Sequence, residues 1–477
     1  MSADLSPLAR FEEQLRAKPD PRKALGAGLI GADHRIETPE GAKRLVYADY
    51  VASGRALAQV EDFMRDEVLP YYANTHTESS FCGAYSTRLR EAARARVARH
   101  CGADARDHAV IFAGSGATTG LNQLVHLLDL PGSLARGETV TVLTGPYEHH
   151  SNLLPWRESG ARTEEIDEAP EGGPDMDKLA RALRRLSGEG RVIVAMSAAA
   201  NVTGICADVA AVTALVKSHG ATMVWDYAAG APYLPMTMTP QGHEIDAMVF
   251  SPHKFIGGPG ASGVLVLRRD AVRSTRPYRP GGGTVAFVNG RHHDFLRDLE
   301  EREEGGTPNI AGDIRAALTM IVKDVIGQDH MTARNAALTA RAFAAWGDEP
   351  AIDILAPGHR DRLPIFSFTI DAPGVTAAEV TAALSRHHGI QARGGCACAG
   401  PYAHRLLSIG AERSEELRIA IKEGRTDEKP GFVRLNFSVL MSDDTVDYII
   451  ASVTRLARDY RARAPRIGDR HVCPATA

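Results

Sequence analysis

Ile245-Asp-Ala-Met-Val-Phe-Ser-Pro-His-Lys-Phe255 carries an apolar run onto a lysine, and Ala221-Thr-Met-Val-Trp-Asp226 ends another run on a carboxylate twenty-eight residues before Lys254. Each run is short, rich in β-formers and bounded by turn-forming residues, as buried strands are. Similar runs recur at 109–113, 139–143, 191–196 and 263–267, with helical patterns at 121–128, 176–186 and 209–219 between them. Strands alternating with helices predict an α/β domain with a mainly parallel sheet.

Outside that block, residues 1–44 are polar and rich in Pro and Gly, with one helical pattern over 7–17, and read as an arm packed on a larger body. A long helical pattern at 313–325 leads into a smaller module with strands at 365–370 and 432–437 and helices at 377–387 and 444–462. The expected division is an arm at 1–44, a large domain at 45–325 and a small C-terminal domain at 326–477. With 477 residues, 44% hydrophobic and 24% charged, the chain has the composition of a globular protein with a sizeable core. A net charge of -4 argues against nucleic acid or an anionic membrane as partner and favours small molecules. The stretch 195–216 is interrupted by Asn201 and Asp208, so no membrane span is expected. The first residues lack a basic segment followed by an apolar one, and six dispersed cysteines form no disulfide framework. A cytoplasmic protein with reduced thiols is the expectation.

Lys254 and Asp226 together suggest pyridoxal phosphate. A lysine that forms an imine must be partly desolvated, and a carboxylate at a neighbouring strand end keeps the pyridine nitrogen protonated. Taken singly, such a Lys is usually a solvated loop residue and such an Asp a cap. Gly114-Ser-Gly-Ala-Thr-Thr-Gly120 lies between a strand and a helix, where backbone N–H groups can cradle a phosphate, though glycine-rich turns also arise for steric reasons. Glu148-His149-His150 places an imidazole at the same edge, to stack on the ring and move protons or simply to cap a turn. Asn201 could donate to the cofactor's phenolic oxygen. Arg393-Gly-Gly-Cys-Ala-Cys-Ala-Gly-Pro401 is a flexible loop whose Arg favours a thiolate, suited to sulfur transfer. As a half metal site it is weak, because zinc wants four ligands in Cys-x-x-Cys-type spacing; His471 and Cys473 could complete one only in principle, and no metal is expected. Arg434, inside a strand pattern, needs an anion: either a substrate carboxylate or a structural ion pair.

These motifs in order, with Gly306-Thr-Pro-Asn309 added, resemble class V aminotransferases, and within them the cysteine desulfurase and selenocysteine lyase family; the likeness runs from about 45 to 453. The resemblance implies the fold-type I architecture of pyridoxal 5'-phosphate enzymes, with a mainly parallel seven-stranded sheet plus a smaller α+β domain, and a homodimer. It implies that Lys254 carries the cofactor, Asp226 pairs with the pyridine nitrogen and His149 stacks on the ring. Ala117, Thr118, His253 and Ser251 would hold the phosphate, with Thr307 reaching that of the other subunit. The family's Arg-x-Gly-x-x-Cys pattern falls on Arg393, Gly395 and Cys398, so Cys398 is the implied nucleophile, while Cys396 could resolve or accept a persulfide. Arg434 and Arg393 would fix the carboxylate of an amino-acid substrate. The implied activity converts L-cysteine to L-alanine with a persulfide left on Cys398, for which a sulfur-acceptor protein or a small thiol would be the outlet. A C–S lyase, epimerase or aminotransferase is the enzyme alternative, and a non-catalytic sulfur relay the other. Two departures stand out: Ala229, where the family commonly has Gln or His, and Thr77, where it often has Arg.

Overall fold

The computed structural model describes residues 6–75, 78–426 and 429–463. Its larger sheet has seven strands in the spatial order His108–Phe112, Val264–Arg268, Ala247–Phe250, Thr222–Asp226, Arg191–Ser197, Val140–Thr144, Arg162–Glu165. Only Val264–Arg268 runs against its neighbours; all other pairings are parallel. A parallel sheet must be covered on both faces, and alternate residues enter two separate cores. Val264, Val266, Met248 and Phe250 pack with Ile314 and Leu318 of the helix Ile310–Ile326, whereas Leu265, Leu267, Ala247 and Val249 pack with Leu121 and Leu124 of the helix Ala117–Leu127.

The second sheet is antiparallel, in the order Ile352–Ile354, Ile365–Ile370, Phe432–Asn436, Arg393–Gly395. Trp346, Phe366, Phe368 and Phe437 fill its core together with residues of Asp443–Arg463. The chain reaches this sheet early as well: Val46–Tyr47 pairs in parallel with Ile390–Gln391, and the Asn436 N–H donates to the Ala48 carbonyl at 2.8 Å.

The expected N-terminal helix forms as Pro7–Arg16, capped by Ser6, and buries Leu8, Phe11 and Leu15 in the main core. A second helix, Pro21–Ala27, follows. Several elements of the larger body escape the sequence pattern, and two show why. The helix Phe81–His100 buries Ser86, Arg90 and Arg96 on its packed face, so no apolar stripe marks it; Arg90 is matched inside by Asp313 and Glu304. The strand Arg162–Glu165 is at the sheet edge and half-exposed, without the apolar run of its neighbours. Among the described residues no helix is long and apolar enough to cross a membrane.

Candidate active site

At the carboxyl edge of the large sheet the strand ends, the Gly114–Gly120 turn and the cysteine loop enclose a cavity of about 240 Å³. Ala247–Phe250 ends in a tight turn at Pro252–Lys254, which delivers Lys254 to the cavity. Burial pushes its ammonium down to about 8, Asp226 opposing and the charges of Arg434 and Arg393 adding to the fall. Asp226 ends the adjacent strand; its Oδ1 accepts the Ala228 N–H at 2.7 Å. Burial raises its pKa against that hydrogen bond and the Lys254 charge, so a cation brought beside it would be favoured.

The glycine turn is packed on the lysine turn. The Ala117 N–H donates to Ser251 Oγ at 3.0 Å, and Gly116 has φ +137°, where an added Cβ would lie 2.9 Å from Ser251 Oγ and 3.1 Å from His253 Cε1. Only glycine fits there without strain. Thr118 Oγ1 meets Ser151 Oγ at 2.6 Å, and Ser151 Oγ meets His149 Nδ1 at 3.0 Å. The Ser151 N–H donates to the same Nδ1 at 3.1 Å, which leaves Nε2 as the proton-bearing nitrogen of a neutral ring. Burial, then the charges of Lys254, His150 and Arg434, push the His149 pKa down to about 3; burial and Lys254 push His253 down to about 4.

The opposite wall comes from the smaller sheet and its loop. Arg434 is buried, with Nη2 2.9 Å from Asp49 Oδ1 and Nη1 donating to the Asn201 carbonyl at 3.2 Å; Arg393 Nε is 2.9 Å from Asp49 Oδ2. The ion pair open to Arg434 in the sequence therefore exists, and Arg434 faces the cavity as well. Cys398 is exposed on the cavity rim, whereas Cys396 turns to the cluster of Tyr147, Tyr402 and Phe432. Three hydrogen bonds pin the loop: Asn201 Nδ2 to the Ala397 carbonyl at 2.8 Å, the His150 N–H to the Cys398 carbonyl at 2.8 Å, and the Gly400 N–H to His150 Nε2 at 3.0 Å.

Lys254, Asp226, His149, Asn201, His253, Ser251, Ala117, Thr118, Cys398, Arg393 and Arg434 thus line one cavity, with Ala229 adding no polar group. Thr307 is exposed and lies outside that lining. Thr77, His471 and Cys473 fall outside the described residues. Sequence reasoning missed three supports. Glu148 ties the histidine turn to the strand Arg191–Ser197, accepting from the Ser197 N–H at 2.8 Å and Ser197 Oγ at 2.7 Å, and burial pushes its carboxyl up to about 7 against those bonds. His150 braces the cysteine loop, its place directly after His149 being the only signal. Asp49 carries no signal in its own segment.

Residues 46–449 match the family model of class-V aminotransferases, and the chain belongs to that family. Within it, the chain is 33% identical over 318 residues to a probable cysteine desulfurase of Aeropyrum pernix, covering 65% of this chain and 74% of that one. A probable cysteine desulfurase of Mycobacterium leprae is 28% identical over 449 residues, 92% of this chain and 98% of that one. The apo cysteine desulfurase structure from Thermococcus onnurineus superposes with a TM-score of 0.71 at 25% identity, covering 87% of this chain and 95% of that one. An Escherichia coli cysteine desulfurase structure gives 0.68 at 22% identity, over 96% and 100% of the chains. The architecture is that of fold-type I pyridoxal phosphate enzymes.

Proposed function

We propose that this protein is a pyridoxal 5'-phosphate-dependent cysteine desulfurase that converts L-cysteine to L-alanine and leaves the sulfur as a persulfide on Cys398. The observation that carries this reading is the convergence on one cavity of a desolvated lysine, a buried carboxylate, a neutral histidine, a cysteine and two arginines. The chain's residues fit the cofactor. Asn201 Oδ1 is buried without a partner among the described residues, and Gly116 leaves free the space that a Cβ would fill beside Ser251 and His253. Lys254 would hold the cofactor covalently and Asp226 would pair with its ring nitrogen. His149 would stack on the ring. Ala117, Thr118, Ser251 and His253 would take the phosphate, with Thr307 serving the other subunit. When bound, the cofactor supplies an electron sink for the pair left at the substrate Cα.

The protein's own groups then divide the work. Arg434 and Arg393 orient the substrate carboxylate, a positioning effect that brings sulfur toward the thiol. Lys254 Nζ, its basicity lowered by burial, accepts the Cα proton, and His149 exchanges a proton through Nε2. The Cys398 thiolate forms a bond to the substrate sulfur as the Cβ–S bond breaks, Cβ takes a proton, and alanine leaves.

The same reading extends to assembly. A homodimer is supported by exposed Leu69, Tyr72 and Phe81, with Tyr85 stacked on Phe81 and Tyr71 edge-on to it. The exposed Cys398 suits a sulfur-acceptor protein, in a cytoplasmic enzyme with an arm at 1–44, a large domain at 45–325 and a small one at 326–477. The test is alanine and sulfide production from L-cysteine with a thiol reductant, comparing wild type with Cys398→Ala at equal cofactor occupancy. Equimolar products that vanish in the variant support the reading. Pyruvate with sulfide, indifferent to the substitution, would replace it with C–S lysis.

A further inference from the structure

Arg393 and Arg434 stand directly opposite one another on adjacent antiparallel strands, a register in which like charges repel. Asp49 resolves the conflict by giving one carboxylate oxygen to each guanidinium, both at 2.9 Å. It is 8% exposed and does not line the cavity; it approaches the arginines from behind. Its backbone is fixed. The Asp49 carbonyl accepts from the Ala52 N–H at 3.0 Å and Tyr47 Oη at 3.2 Å, while the Val51 N–H donates to Asn436 Oδ1 at 3.0 Å, on the strand that carries Arg434. Meanwhile Arg434 Nε is buried and has no partner among the described residues.

We propose that Asp49 is the positioning residue of the substrate-carboxylate site, locking both guanidiniums and cancelling one of their two charges. The site then selects amino acids with one carboxylate and an uncharged thiol or selenol side chain over those with a second acidic group. This inference rests on the cavity being the amino-acid site proposed above. The charges around the cavity support it. At the carboxylate end Arg393 and Arg434 are the cations and Asp49 behind them is the anion, while Lys254 is taken up in holding the cofactor, Asp226 in pairing with its ring nitrogen, and His149 and His253 are held neutral. One positive charge remains, which a single α-carboxylate neutralises. A sulfinate or side-chain carboxylate would bring a second negative charge into a desolvated cavity with no cation left to meet it.

The test is a spectral titration of the cofactor-loaded protein with L-alanine and L-aspartate, which reads binding and not desulfuration. Wild type is expected to bind L-alanine roughly tenfold more tightly or better, the effect of one unit charge at a few ångströms in a partly screened site. Binding of the two within twofold would overturn the proposal. In Asp49→Asn the preference should fall by about tenfold. An unchanged ratio, in a variant with wild-type circular dichroism and cofactor stoichiometry, would also overturn it. If Asp49→Asn does not fold, Asp49→Glu decides: the charge is kept, so the preference should survive weaker L-alanine binding, and its loss would sink the idea. A wild type that selects L-alanine yet makes no alanine from L-cysteine would reject the desulfurase reading while leaving the role of Asp49 standing.

Discussion

Lys254 and Cys398 line the same cavity but are held there by different means. Lys254 follows the strand Ala247–Phe250, every residue of which is buried, and its turn is packed under Gly116 so closely that a methyl group would not fit. Cys398 sits on an exposed loop in which it and Ala397 both take positive φ, 55° and 52°. Such residues cost about 1 kcal/mol or more each and persist only when their surroundings hold them. Here the hold is three hydrogen bonds, each contributing about 1 kcal/mol. The difference teaches a division of labour. On the proposed reading, covalent cofactor chemistry would need an amine that does not move, which the core provides, and sulfur transfer would need a thiol that reaches inward and then releases outward, which a lightly pinned, strained loop suits.

The contrast breaks most sharply at the two groups proposed to react. Lys254→Ala should abolish the visible absorption of covalently held cofactor and lower turnover by at least ~10³-fold. Retained absorption at full intensity would refute the lysine assignment. Cys398→Ala should leave that absorption intact and still lower alanine formation by about 10²-fold or more, because the two halves of the site fail separately. Loss of cofactor in the cysteine variant would mean that the loop helps build the platform.

The same contrast explains what the sequence made legible. Asp226 ends, and Lys254 and His149 follow, strands whose apolar runs are continuous because both faces are buried, so their place at one sheet edge was legible from pattern, while their roles were implied only by the family resemblance. Their supports were not legible. Asp49 meets Arg393 and Arg434 across separations of 344 and 385 residues, and a single Asp in Val46-Tyr-Ala-Asp-Tyr50 announces nothing locally. The helix Phe81–His100 stayed hidden because its buried arginines are neutralised by acids distant in sequence, which a hydrophobic pattern does not register. The Ala397 and Cys398 conformations were equally illegible, since neither residue favours positive φ and only the loop's hydrogen bonds impose it.

Two further measurements sharpen the platform side. Gly116→Ala forces a Cβ against Ser251 Oγ and His253 at φ +137°, a strain of about 1–3 kcal/mol, so cofactor affinity should fall roughly tenfold with Lys254 untouched. Equilibrium dialysis of the cofactor against the variant reads this directly. The rate at which apoprotein takes up cofactor depends on neutral Lys254 amine. That fraction should rise about tenfold per pH unit below pH 8 and level off above it, because burial has brought the amine down to about 8. An ordinary lysine would keep the rate climbing to about pH 10. Stopped-flow absorbance across pH 6–10 separates the two curves, and a midpoint near 10 would mean the amine is solvated.

The smallest effect probes the loop. His150 Nε2 accepts the Gly400 N–H, while its backbone N–H holds the Cys398 carbonyl. In His150→Ala the second bond survives and the first is lost, a change of about 0.5–1.5 kcal/mol that falls on the loop alone. Cofactor absorption and affinity should match wild type, because no platform residue leans on that nitrogen. The rate of alanine formation should drop several-fold, and alkylation of Cys398 by iodoacetamide should speed up by a similar factor as the loop opens more often. A faster alkylation with unchanged turnover would show that loop order does not limit sulfur attack. If cofactor were lost as well, the two halves of the site would be coupled through the His149–His150 turn, and the division of labour between core and loop would have to be given up.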